Sequence, residues 1–208
     1  MTRLSSVQSN TRVEELFARR AAPLADLAEH AEDVARTCHA MAARFHRGGK
    51  LVVFGNGGPS TDAQHVAVEF VHPVIVGKRA LPALSLTADI ATVTGVANRV
   101  GLAEVFAHQI RLLAEPADIA LGLSADGDCV NVLHGLEQAR ELGMLTVVLL
   151  GGDGGLIAAD GHTDHVLVAA TTDPRVIKEV HVTMYHVLWE LVHVFFEQPG
   201  VLDPGVVR

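Results

Sequence analysis

The chain has 208 residues, enough for one domain with a sizeable buried core and too few for two ordinary ones. Its formal charge is -8 and its Lys and Arg residues are scattered, which excludes the basic face that nucleic-acid binding or a membrane-surface role requires. No apolar stretch reaches the roughly 20 residues that span a bilayer, and Met1 to Asn10 is polar without a signal-peptide core, so a soluble cytoplasmic protein is expected.

Hydrophobic residues make up 49% of the chain but aromatics only 4%, so the core is expected to be Ala, Val and Leu, with a surplus that points to subunit interfaces. Cys38 and Cys129 form no disulfide or zinc pattern, in keeping with a reducing compartment. Twelve His residues invite a search for metal-ligand spacing.

A polar leader, residues 1–12, precedes a helical segment at residues 13–47, with Leu24, Leu27, Ala31, Val34, Cys38 and Met41 at three-to-four spacing and a break near Pro23. Five short apolar runs follow, at residues 51–54, 83–86, 119–123, 145–150 and 165–168, most of them separated by helical patterns. Continuous apolar strands alternating with helices predict a parallel sheet covered on both faces, with its ligand site beyond the carboxyl ends of the strands. A last helix at residues 174–196, partly buried against a site or a sister subunit, carries His181, His186, Glu190 and His193. It gives way to an irregular tail, residues 197–208.

Directly after the first expected strand stands Gly55-Asn56-Gly57-Gly58, opening a helix at residues 59–72. Glycines let a ligand approach the backbone and a helix start offers unpaired N–H groups to an anion; on its own the run reads equally as a tight turn. His65 and Glu69, four apart, share one helix face, within reach of a common metal or substrate proton, or as a plain surface pair. His186 and Glu190 repeat that spacing on the last helix, with Lys178 and Glu179 near by. After the third strand, Ser124-Ala125-Asp126-Gly127-Asp128 opens another helix, for which Asp128 is the expected N-cap; both aspartates read as caps or as ligand contacts. Thr87-Ala88-Asp89 has the same form.

With Gly55-Asn56-Gly57-Gly58 followed by Asp62-Ala63-Gln64-His65 and Glu69, the chain resembles the phosphoheptose isomerases, a branch of the SIS superfamily. The likeness continues through Leu81-Pro82-Ala83, Ala97-Asn98, Asn131-Val132, Glu141-Leu142-Gly143-Met144, Gly152-Asp153-Gly154-Gly155 and Glu179-Val180-His181 with His186, and covers residues 13–196 as one domain. It implies an α/β three-layer sandwich of SIS type: a five-stranded parallel sheet flanked by helices, with an N-terminal helical extension. It also implies a homotetramer that converts sedoheptulose 7-phosphate to a heptose 7-phosphate through an enediol. By the resemblance Glu69 is the carboxylate base, His186 the histidine acid/base and His65 a metal ligand. The sugar-phosphate ligand would meet Asn56, Gly57, Gly58, Ser60, Thr61, Asp89, Asn98, Ser124, Asp126, Asp128 and Lys178. Some members hold zinc, for which His65, Glu69 and His186 would leave an open position; no nucleotide or organic cofactor is implied.

The chain departs from the family where phosphate is gripped. Pro59 stands in place of a serine, and Ser124-Ala125-Asp126-Gly127-Asp128-Cys129 in place of Ser-Thr-Ser-Gly-Asn-Ser, so of those hydroxyls only that of Ser124 remains. Two carboxylates beside a dianion repel it by several kcal/mol at an effective dielectric of about 20. Lys178 replaces a glutamine, and an ammonium has no lone pair, so it either leaves a three-ligand metal site or supplies a fixed positive charge instead of the metal. Arg99 follows Asn98 where the family generally has Asp. Three readings follow: a sugar-phosphate isomerase, a non-catalytic SIS-domain scaffold or regulator, and an isomerase redirected to another sugar derivative such as an amino sugar.

Overall fold

The protein is described here by a computed structural model covering residues 6–198 and 200–202. Helices α1 (Ser6–Glu29) and α2 (Ala31–His46) lead into β1 (Leu51–Gly55), α3 (Gly58–Val71), β2 (Ala83–Ser85) and α4 (Ile90–Arg99). After a 3-10 turn, Leu102–Glu104, come α5 (Val105–Leu113), β3 (Ile119–Ser124), α6 (Val130–Glu141) and β4 (Leu145–Gly151). The chain closes with α7 (Gly155–Asp160), β5 (His165–Ala169) and α8 (Pro174–Glu197).

Each of the five apolar runs is a strand, and all pairings are parallel in the order β2-β1-β3-β4-β5. The runs are continuously apolar because both faces are covered, and alternate residues enter different cores. Leu51, Val53, Leu121, Leu123, Val147 and Leu149 pack with α2, α3 and α8, whereas Val52, Phe54, Ala120, Val148 and Leu150 pack with α4, α5, α6 and α7. The three layers expected from the sequence are therefore present. Chain direction across the sheet reverses between β1 and β3, and the crevice at the carboxyl ends of those two strands is where such sheets place ligands.

The amino-terminal reading needs two corrections. Helix α1 begins at Ser6 rather than Val13, because the polar stretch before Val13 holds no Gly or Pro to interrupt it; residues 1–5 of the expected leader lie outside the described residues. Pro23 does not break the helix. It lies inside α1 with its ring buried, which offsets the backbone hydrogen bond it forfeits, and the chain turns instead at His30, whose N–H bonds the Leu27 carbonyl at 3.2 Å. At the other end, Gln198 and residues 200–202 form a bend and turn, and the rest of the expected tail lies outside the described residues.

Cys38 and Cys129 are both free thiols, and Cys38 is fully buried among the α2, α3 and α8 side chains. Burial pushes the Cys38 thiol up to about 12, so almost no thiolate forms near neutrality. Alkylation of the native protein at about pH 8 should therefore modify Cys129 and spare Cys38 until denaturant is added, as read by peptide mass. No helix among the described residues is long and apolar enough to cross a membrane.

Candidate functional site

Strand β1 delivers the chain to Gly57, whose φ of +61° is left-handed and suits glycine, and α3 begins at the next residue. Pro59, in the first turn, has a pre-set φ but no N–H to offer an anion. The hydroxyls of Ser60 and Thr61 donate to the carbonyls of Gly57 (2.6 Å) and Gly58 (2.7 Å), so here they close the turn. Asn56 and Asn131 exchange amide hydrogen bonds at 2.6 and 3.0 Å, clasping the β1 loop to α6 across the point of strand reversal. Asn56, expected to meet the ligand, thus has its side-chain amide paired within the protein.

Two turns into α3, His65 and Glu69 stand on one face as their spacing requires, with His65 Nε2 3.2 Å from Glu69 Oε1. Helix α8 lies against α3 and brings His186 to the same place, its ring centroid 5.2 Å from that of His65 at near-perpendicular inclination. One donor atom from each of His65, Glu69 and His186 lies within 4.8 Å of the others, the single such group among the described residues. Two imidazoles and one carboxylate are the donor set of a catalytic zinc with an open position. The Glu69 side chain is 13% exposed and that of His65 42%, so the carboxylate is sheltered while its partner faces outward.

Two residues that were not assigned to the site from sequence hold this cluster in place, and a third stands beside them. The Tyr185 hydroxyl lies 2.8 Å from His65 Nδ1, and the Trp189 indole N–H donates to the Glu69 backbone carbonyl at 2.9 Å. Asp62, also on α3, is buried and accepts from the Lys178 ammonium at 2.6 Å. Burial, reinforced by the charges of Asp62 and Glu69, raises the Tyr185 phenol well above its usual range, so it stays protonated. A usable signal was in the sequence: the chain's single tyrosine stands one residue before His186, and a buried phenol needs a polar partner.

Lys178 does not enter the cluster. Its ammonium donates to the Gly58 carbonyl (3.0 Å), the Thr61 hydroxyl (3.1 Å) and Asp62, so its charge sits at the first turn of α3. Glu179 is paired with Arg20 of α1, and Glu190 is exposed and outside the donor group. His193 is a structural residue, bridging the Trp189 and Arg79 carbonyls at 2.8 and 2.9 Å.

The loop after β3 is satisfied internally. Asp126 Oδ1 accepts from the Ser124 hydroxyl (3.0 Å) and the Asp128 N–H (3.1 Å), while Ser124 Oγ accepts from the Gly127 N–H (3.0 Å). These hydrogen bonds hold the Asp126 carboxyl below its usual range, the Asp128 N–H contributing most. Asp128 is not the cap of α6, whose N-cap is Cys129 without a side-chain bond; it accepts instead from the Leu156 N–H at 3.0 Å and caps α7. The reason is that the β4 loop packs against the β3 loop and brings the free amides of α7 within its reach. With Asp153, these aspartates line an open cleft of 870 Å³ that also meets Thr171 and Thr172. Asp89 caps α4 through the N–H groups of Ala91 and Thr92, and Asn98 is exposed near the carboxyl end of that helix. The Thr87 hydroxyl bonds the Ser60 carbonyl at 3.2 Å and ties the β2–α4 loop to the start of α3.

His181 is buried, with Nε2 3.0 Å from the Leu150 carbonyl, and burial lowers its pKa. The unfolded chain then binds the proton more readily than the folded one, so stability is full above the ordinary His value of about 6.5 and falls with pH through the depressed folded value. His165, also lowered mainly by burial, adds to the same slope. Melting temperature should hold above about pH 7 and drop on acidification below about 6.5, less steeply in His181→Gln.

Residues 15–151 match the family model of the SIS domain. The chain is 41% identical over 179 residues to the phosphoheptose isomerase of Desulfovibrio desulfuricans, covering 85% of this chain and 84% of that one. It superposes on the phosphoheptose isomerase of Neisseria gonorrhoeae with a TM-score of 0.80 and 30% identity, covering 88% of this chain and 98% of the other. For the Francisella tularensis phosphoheptose isomerase the TM-score is 0.83 at 29% identity, covering 89% and 98%.

Proposed function

Because the chain belongs to the SIS domain family and, within it, to the phosphoheptose isomerases, we propose that it is an aldose–ketose isomerase acting on sedoheptulose 7-phosphate through an enediol. The observation that carries this reading is the convergence of Glu69 and His186 from two helices beside His65. In the ketose-to-aldose direction Glu69 removes a proton from C1, the electron pair forms the C1–C2 double bond, and His186 gives a proton to O2. His186 then takes the O1 proton as the C1 carbonyl forms, and Glu69 returns its proton to C2 to complete the aldose. A scaffold protein would have no physical need for a sheltered carboxylate facing two imidazoles.

The donor set suits zinc held by His65, Glu69 and His186, and a bound zinc would polarise the carbonyl oxygen and stabilise the enediolate charge; His186, with one lone-pair nitrogen, exchanges protons only while that nitrogen is off the metal. Glu69 has two carboxylate oxygens, so binding through one leaves the other to accept a proton. Lys178, anchored at the first turn of α3, supplies positive charge near the ligand loop rather than a metal ligand.

The site is open on the side of His186, and the flanking surface is apolar: Val68, Val71, Val74, Ile75 and Val76 are exposed on and just after α3. Such a patch supports coverage by another copy, and the proposed assembly is a homotetramer whose mass light scattering would read directly. The free thiols Cys38 and Cys129 support a reducing, cytoplasmic setting.

One observation favours a second reading, an isomerase whose substrate carries no phosphate at that end. The hydroxyl-rich grip is replaced by Asp126 and Asp128, which already accept the loop amides. Turnover is therefore to be measured on sedoheptulose 7-phosphate, unphosphorylated sedoheptulose and amino sugars in parallel, before and after chelation and zinc addition. Turnover of the 7-phosphate, lost on chelation and restored by zinc, is the expected result. Faster turnover of an amino sugar would replace this substrate assignment, and ligand binding without any turnover would leave the scaffold reading.

A further inference from the structure

Resting on the isomerase reading of the His65 site, we infer that Tyr185 is a positioning residue: its hydroxyl accepts the Nδ1 proton of His65, turns its own proton toward Asp62, and so presents the bare Nε2 of His65 to Glu69 and His186. The chain of groups runs from Lys178 to Asp62, and from Tyr185 to His65 and Glu69.

The direction of the chain follows from counting protons. Asp62 is 3% exposed; its Oδ1 is held by Lys178, while its Oδ2 is buried and has no donor in full hydrogen-bond geometry among the described residues. A buried carboxylate oxygen without a donor is costly, and the proton assigned to it is that of the Tyr185 hydroxyl. The phenol has a single proton. If that proton serves Asp62, the phenol oxygen can only accept at its 2.8 Å contact with His65, and Nδ1 must carry the imidazole proton. His65 Nε2 is then a lone pair 3.2 Å from Glu69 Oε1, two acceptors facing each other, which is stable only with a cation or a transferable proton between them. The opposite polarity, with the phenol donating to Nδ1, would put the proton on Nε2 and block it as a ligand. Outer partners of this kind fix imidazole tautomers at metal sites and their loss costs metal affinity. The Lys178 anchor adds specificity: the ammonium holds Oδ1, so Oδ2 is the oxygen left for the phenol.

The test is long-range proton–nitrogen NMR on protein labelled in its histidines, with zinc alone as the metal probe and His65→Asn to assign the signals. The expected wild-type His65 is protonated on Nδ1. In Tyr185→Phe the proton should redistribute to Nε2 and zinc affinity should fall by about ten-fold or more. In Asp62→Asn the ammonium keeps the carbonyl oxygen, so the amide NH2 takes the place of Oδ2 and donates to the phenol, which must then donate to Nδ1; His65 should move to the Nε2-protonated form. A wild-type His65 protonated on Nε2 overturns the inference. So does a folded Tyr185→Phe with unchanged nitrogen shifts and zinc affinity within about two-fold. If Tyr185→Phe loses its near-ultraviolet dichroism, Asp62→Asn decides alone, and an unaltered His65 tautomer there is equally contradictory. The two readings fail separately: absence of sugar turnover with the expected tautomer and zinc shifts would remove the isomerase and leave the proton chain standing.

Discussion

Glu69→Gln should lower turnover by about a thousand-fold while leaving the fold intact, the range expected when a proton-transferring group is removed. The amide is the same size and shape but cannot take a proton from carbon. The contact that anchors this position is made by the backbone, since Trp189 donates to the Glu69 carbonyl and not to its carboxylate, and the substitution does not disturb it. The melting temperature should therefore stay near that of the wild type, and steady-state kinetics should place the loss in kcat more than in KM. A large loss of stability in Glu69→Gln would instead make the carboxylate a structural group.

Gly127→Ala should be strongly destabilising. Gly127 has φ +77°, and an added Cβ would meet the Gly154 carbonyl oxygen at 2.0 Å and its carbon at 2.3 Å, backbone atoms of the adjoining loop that cannot swing aside. The same residue bonds Ser124 through its N–H and accepts from the Ile157 N–H at 3.0 Å, so relieving the clash separates the β3 loop from α7. Left-handed strain and overpacking together cost about 3 kcal/mol. For a domain of this size that lowers the melting temperature by roughly 6–12 °C. Calorimetry reads the shift; a change within about 1 °C would mean that the two loops are not packed as described.

The architecture was legible because a parallel sheet covered on both faces leaves strands such as 145–150 with no polar alternation, and the flanking turns punctuate them with glycine. The strand ends moved by one residue: Gly55, Ser124 and Gly151 belong to the ladder although they do not look like apolar core, Ala169 extends β5, and β2 stops at Ser85. Pro23 misled because helix propensity is local, whereas the burial that retains it depends on tertiary packing.

At the site, the His65–Glu69 pair was legible from helical spacing, and His186 was reached through family resemblance because no spacing rule joins α3 to α8. Tyr185 and Trp189 were hidden by their chemistry: each buries a large apolar body, so each reads as core, and only the polar tip acts on the cluster. Lys178 illustrates the opposite case. Its departure from the family pattern was plain, but its pairing with Asp62 is a long-range contact that no local pattern encodes.

The central claim, enediol chemistry at Glu69, is tested most directly by incubating the protein with sedoheptulose 7-phosphate in deuterium oxide and following the C1 and C2 protons by NMR. The account predicts protein-dependent deuterium incorporation that disappears in Glu69→Gln. Incorporation undiminished in that variant, or none with folded, zinc-supplied wild type, would contradict it.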